Sequence, residues 1–159
     1  MQRLMSEAEK QEAIDALNRI MELELAGVVR YTHYSLMVYG YTRIPIVSWL
    51  KDNASESLTH AHRAGELVTL MGGHPSLKIG ALLETEKHDV GDILRESLAH
   101  ETSALEAYYA LLSITEDKSV LLEEYARGMI VEEETHLDEV NKMLRRPGVL
   151  EPFSESGEG

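Results

Sequence analysis

The chain contains no cysteine. Disulfides, thiolate zinc sites and iron–sulfur clusters are therefore excluded, and any metal must be held by imidazole and carboxylate. Basic residues are scarce, with 15 Lys and Arg against 28 Asp and Glu, a formal charge of −13. A polyphosphate partner needs clustered cations, so neither nucleic acid nor an anionic membrane is expected to bind. No apolar run approaches the ~20 residues that span a bilayer, and the opening MQRLMSEAEKQEA lacks the apolar core of a signal peptide, which leads to a cytoplasmic expectation. Proline and glycine are few, four and 11 among 159 residues. They fall in a handful of places and leave long stretches uninterrupted.

An apolar content of 43% with 27% charged residues fits one globular domain with a single core. Ser6 and Glu9 read as a capping box, and Ile14, Leu17, Ile20, Met21, Leu25 and Val28 recur at helical spacing, which predicts a first helix over about residues 7–39. Gly40 and Pro45 break that pattern. Ile46, Trp49, Leu50, Leu58, Leu67, Leu70 and Met71 then mark a second helix, closed by Gly72-Gly73. A third helix runs from Asp92 to about Ile114. The fourth opens at Asp117 or Ser119 and reaches Arg146, where Pro147-Gly148 stops it. From Gly73 to Gly91 there is no sustained period, and a connection of that length is accounted for by a crossover along a bundle. The expected fold class is thus all-α, an antiparallel four-helix bundle over residues 6–147 with a long crossover between its second and third helices. The acidic tail, residues 148–159, is expected to be disordered.

Within EEETHLDEV, Glu133 and His136 are three residues apart, about 60° around a helix, so both can enter the same space. In four-helix bundles, Glu-x-x-His on two helices with a lone Glu on each of the others makes a di-iron or di-manganese carboxylate site. The lone glutamates are Glu24 and Glu101, followed on the same faces by Tyr31 and Tyr108. Glu56 follows Glu24 by 32 residues, as Glu133 follows Glu101, which suggests one helical hairpin used twice. The second helix departs from the pattern: Ser57 stands three residues before His60, and Glu56 stands four before it. Two outcomes are open. Glu56 acts as a shifted ligand, about 40° from His60 around the helix, or Ser57 leaves one metal position short. His100 adjoins Glu101 but lies about 100° around the helix, a place for a supporting role. Each glutamate alone reads as part of a solvated face; the weight rests on their combination. Tyr34, Met37, Val38 and Trp49 are candidates for an apolar stripe that pairs two copies.

In order and spacing, the segments ELAGVVRY, LTHAHRAGELVTLMGGHP, LAHETSALEAYY and VEEETHLDEV are similar to the four helices of the bacterioferritin branch of the ferritin-like superfamily, over roughly residues 10 to 146. The resemblance implies that Glu24, His60, Glu101, Glu133 and His136 are di-iron ligands, with Mn or Zn able to stand in for iron, and that Tyr31 is a redox or hydrogen-bonding residue near the site. It also implies a ferroxidase activity, oxidation of Fe(II) by O2 or H2O2 for iron storage or detoxification, in a homo-oligomer that is at least a dimer and in the family a cage. Three positions depart from the family. Ser57 replaces a glutamate ligand and bears on the second metal. Leu58 replaces the haem-ligating methionine, so haem is not expected. The chain turns at Arg146-Pro147-Gly148 where the family continues into a fifth helix, so the assembly is left open between a dimer and a cage of 12 or 24 subunits. The alternatives are a peroxide-protective di-iron protein without storage and a non-catalytic helical scaffold with a degenerate metal site.

Overall fold

Ser6 caps the first helix as its sequence predicts: its side chain accepts from the Glu9 N–H at 3.1 Å while Glu9 Oε2 accepts from the Ser6 N–H at 3.0 Å. In the computed structural model, which describes residues 5–82 and 85–155, four helices follow in order: α1 (Glu7–Met37), α2 (Arg43–Leu70), α3 (Val90–Thr115) and α4 (Val120–Leu144). The second helix begins earlier than the sequence suggests. Pro45 does not break it but sits in its first turn, where a missing N–H costs no intrahelical bond. At the other end Gly72 adopts φ 81°, and the N–H groups of Gly72 and Gly73 donate to Thr69 O and Val68 O. This left-handed closure turns the chain out of α2. Ser119 caps α4 by accepting from the Leu122 N–H.

The connection from α2 to α3 is laid along α1. Asn18 donates to His74 O at 3.1 Å and accepts from the Ser76 N–H at 2.9 Å. The Gly80 N–H donates to Glu22 O at 2.8 Å, and Arg30 donates to Ala81 O at 3.0 Å. The crossover expected from the sequence is therefore a strap whose backbone groups find partners on α1, as buried polar groups must.

Helix α1 packs on α2, α3 on α4, and α1 on α3; among the described residues no α2 Cα comes within 8 Å of an α4 Cα. Helices α2 and α4 meet instead through longer side chains, Arg63 donating to Met129 Sδ at 3.3 Å and Trp49 stacking on His136. The buried apolar residues form two clusters. The larger includes Leu17, Ile20, Ala64, Val68, Tyr108, Leu111, Leu122 and Met129, and the smaller holds Tyr31, Tyr34, Val38, Leu50 and Ile93. Tyr34 and Val38 are consequently core residues and not part of an outer stripe, because they continue the inward face of α1 that carries Glu24 and Tyr31. The large apolar groups exposed there are Leu36, Tyr39, Tyr41 and Ile44. Among the described residues no helix is long and apolar enough to cross a membrane.

Past α4 the chain folds back to Glu155. Asn141 accepts from the Phe153 N–H at 2.9 Å and donates to Phe153 O at 3.0 Å, and the Arg95 guanidinium lies 5.8 Å from the Phe153 ring centre.

Candidate metal centre

Between the two apolar clusters lies a polar layer to which all four helices contribute. Glu24 comes from α1, Ser57 and His60 from α2, Glu101 from α3 and Glu133 from α4, and each is buried. His136, one turn past Glu133, is partly exposed. The interior positions of four amphipathic helices meet at one level along the bundle, so the spacing seen in the sequence becomes proximity in space.

One ligand atom from each of Glu24, His60 and Glu133 falls within 4.8 Å of the others. His60 Nδ1 stands 3.1 Å from Glu24 Oε2 and 3.8 Å from Glu133 Oε1. Across the layer His136 Nε2 is 3.7 Å from Glu101 Oε1. Tyr31 donates to that same Glu101 oxygen at 2.5 Å and lies 3.4 Å from His136 Nε2. Its hydroxyl therefore fixes the orientation of a buried carboxylate. The structure brings together five predicted residues and Tyr31; Glu56 stands at the rim, its side chain 57% exposed and its Oε1 3.8 Å from His60 Nε2.

Ser57 turns toward α1. A Cβ added at Gly27 would meet Ser57 Oγ at 2.9 Å and His100 Nε2 at 3.3 Å. Gly27 thus admits α2 and the His100 ring at close quarters. His100 is buried, which lowers its pKa, and it bonds to the Leu23 backbone.

Burial dominates the electrostatics. Desolvation lifts the Glu24 carboxyl to about 7 against the opposing hydrogen bond from His60. Glu133 is pushed up to about 12, first by burial and then by its hydrogen bond and charge contact with Glu101. Burial also acts to raise Glu101, but the Glu133 hydrogen bond, His136 and the Tyr31 hydroxyl outweigh it and hold its pKa low. Glu133 is thereby driven toward its neutral form and Glu101 toward its charged one. Burial works to lower the His60 pKa, yet its bond to Glu24 leaves it raised.

The residues fit a metal. Glu133 Oε2 has no hydrogen-bond partner among the described residues, a costly state for a buried oxygen. Two carboxyls are driven toward their neutral forms for want of a compensating charge, and imidazole nitrogens stand beside them. Carboxylate with imidazole is a donor set for iron, manganese or zinc.

Three neighbours escaped the sequence reading. Glu132, the residue just before Glu133, places Oε2 3.5 Å from His60 Nε2. Asn53 is buried and lines the recess that leads to the layer, together with Glu56, Ser57, His60, Glu132 and Glu133. Trp49, expected on an outer stripe, stacks on His136 with ring centres 6.0 Å apart and planes 16° apart. Glu132 carried a signal in its place beside Glu133; Trp49 carried none, because its partner lies on another helix.

The fold and this layer define a class, the four-helix bundles with a carboxylate–histidine interior. The ferritin family model, described as a ferritin-like domain, matches residues 14–147, and the chain belongs to that family. Three solved structures are similar in fold. A ferritin-like diiron-carboxylate protein from Bacillus anthracis is 22% identical with a TM-score of 0.82, covering 89% of this chain and 100% of its own. The Desulfovibrio desulfuricans bacterioferritin is 24% identical with a TM-score of 0.73, covering 86% and 80%. The Rhodobacter capsulatus bacterioferritin, 20% identical with a TM-score of 0.75, covers 84% of each chain. No curated protein sequence matches the chain.

Proposed function

We propose that the chain holds two transition-metal ions, iron in the first instance, in its buried layer and oxidises Fe(II) with O2 or H2O2. The observation that carries this reading is the Glu24–His60–Glu133 group, buried and mutually close, with Glu133 Oε2 left unpartnered. Glu24, His60, Glu101, Glu133 and His136 would hold the ions. Glu56, four residues before His60, supplies a carboxylate in place of the one absent at Ser57 when its exposed side chain turns inward. Two irons held there would supply two electrons, one from each Fe(II) as it becomes Fe(III), to O2 or H2O2 as the oxidant. Hard oxygen donors favour Fe(III) over Fe(II), and carboxylates adapt between one and two bonds. Tyr31 orients Glu101 through its hydroxyl, Glu133 surrenders its proton as the cation arrives, and the flanking apolar clusters exclude water.

Aerobic titration with Fe(II), followed by near-ultraviolet absorbance, tests the proposal. Two irons per chain with a growing ferric band are expected, and Glu133→Ala should abolish the band. A parent protein without a metal-dependent signal, and Glu133→Ala indistinguishable from it, would establish instead a scaffold with a degenerate site, the reading that Ser57 favours. Faster oxidation with H2O2 than with O2 would assign peroxide protection, and mineral retained by the assembly would assign storage. A cytoplasmic homo-oligomer, at least a dimer, belongs to the same reading, with Leu36, Tyr39, Tyr41 and Ile44 as exposed apolar surface. Mass and metal content of the purified assembly, measured together, decide its size.

A further inference from the structure

Away from the metal layer, the segment that follows α4 is held by a contact built from α3 and α4. Asn141 commits its whole side-chain amide to one residue of that segment: Oδ1 accepts from the Phe153 N–H at 2.9 Å and Nδ2 donates to Phe153 O at 3.0 Å. An amide used in this way stands in for the peptide group of a neighbouring strand and grips main chain. Arg145 Nε donates to the same Asn141 oxygen at 2.8 Å, which holds the amide in that orientation, and Arg145 Nη1 donates to Leu150 O at 3.3 Å. Side-chain choice comes from α3. The Arg95 guanidinium lies 5.8 Å from the ring centre of Phe153, the chain's one phenylalanine, and its Nε lies 3.7 Å from Glu155 Oε1. One cation thus meets an aromatic face and a carboxylate two residues apart.

The segment reaches this socket through a folded hinge. Gly148 follows Pro147 at φ 81°, and the Val149 N–H donates to Arg146 O at 3.1 Å. Opening that turn breaks one backbone bond, and the chain from Arg145 to Phe153 then spans up to ~27 Å, about two helix diameters. Where the segment now sits, its apolar side is uncovered: Leu150 is 91% exposed and Val149 44%. The contacts between socket and segment are the same when the segment belongs to another copy, and Val149 and Leu150 then gain a surface to bury against. Charge favours the same pairing. Glu151 and Glu155 on the segment face Arg95 and Arg145 in a chain of formal charge −13, whose other surfaces repel a second copy.

We propose that Arg95, Asn141 and Arg145 are a peptide socket that residues 150 to 155 of a second copy enter, joining two chains by reciprocal exchange. The joint draws on neither the metal layer nor the exposed apolar groups Leu36, Tyr39, Tyr41 and Ile44. Asn141 reads main chain and Arg95 reads phenylalanine followed two residues later by glutamate, so the socket selects this segment over other exposed strands. Within one chain the tether keeps the local concentration of the segment high. Exchange therefore grows with protein concentration, as the added contacts of Val149 and Leu150 take effect.

Sedimentation velocity of the full-length protein over a range of concentrations provides the test. The parent should self-associate, and Asn141→Ala, which disables the socket, or Phe153→Ala, which removes the anchor, should each weaken that association about tenfold. An equimolar mixture of the two variants should recover part of the loss, because a sound segment on one chain meets a sound socket on the other. Both variants should melt close to the parent, since neither residue belongs to the two apolar clusters. A fluorescent peptide of residues 149 to 155 should bind Phe153→Ala and not Asn141→Ala. Parent-like association in both variants, or a mixture no different from its components, would overturn the joint, as would a peptide that does not discriminate between the two variants. Both variants should take up Co(II) as the parent does, so the joint and the metal proposal stand or fall separately.

Discussion

Glu133 shows how one residue can be wrong for stability and right for chemistry. Its carboxyl is buried, held neutral and left with an orphaned oxygen. Replacing a buried ionisable group by an apolar one of similar size is often stabilising. Glu133→Leu should therefore raise the stability of the metal-free protein, by about 1–3 kcal/mol in chemical denaturation, while removing the stabilisation that added Co(II) gives the parent. Trp49 offers a second measurement at this scale. It is the chain's one tryptophan and it stacks on His136, so its emission should fall as a paramagnetic ion binds that ring and stay constant when Zn(II) binds. That Glu133 and His136 point to the same side was legible in the sequence, because a glutamate and a histidine three apart on a helix share a face. The Trp49 stack and the Glu132 contact were not, because they depend on how closely two helices approach each other.

At the level of helices, the capping box and the inward period placed α1 almost to the residue, and the doubled hairpin spacing put the buried carboxylates and His60 at one level. Pro45 misled about the start of α2, since proline opens a helix as readily as it ends one. Tyr34 and Val38 misled in another way: composition made them candidates for a surface stripe, while their register with Glu24 put them inside. The close meeting of α1, α2 and α3 at Gly27 is a tertiary fact with only a small residue to mark it. Gly27→Ala gains about 1 kcal/mol of helix propensity but forces Ser57 Oγ and His100 aside from 2.9 and 3.3 Å. A net loss of about 1 kcal/mol is expected. Combining it with Ser57→Ala should recover part of that loss, a coupling that denaturant melts of the double-mutant cycle will show.

Taken as a whole, the molecule places acidic groups both in its interior and over its surface, which sets the sign of its pH response without metal. Burial lifts Glu24 to about 7 and Glu133 to about 12 in the folded chain, above the ordinary carboxyl value of 4.5. Between 4.5 and those values the folded chain holds more protons than the unfolded one. Stability is then lost as pH rises, by about 1.4 kcal/mol per pH unit for each such group within its window. The raised His60 contributes in the same sense above its ordinary value of 6.5. Glu101, lowered, gives its contribution above 4.5 and loses it only in acid. Melts of the metal-free chain from pH 5 to 8 should decline, and cation binding near pH 7 should release at least one proton, measured by calorimetry in buffers of different ionisation enthalpy. The strap along α1 has a mechanical consequence. Two similar hairpins joined by a long tether could trade places with those of a neighbouring copy. The grip of Asn18, Glu22 and Arg30 on residues 74 to 81 keeps each hairpin beside its own twin. Loosening it with Asn18→Ala should produce exchanged dimers on refolding at high concentration, visible by mixing two differently labelled preparations.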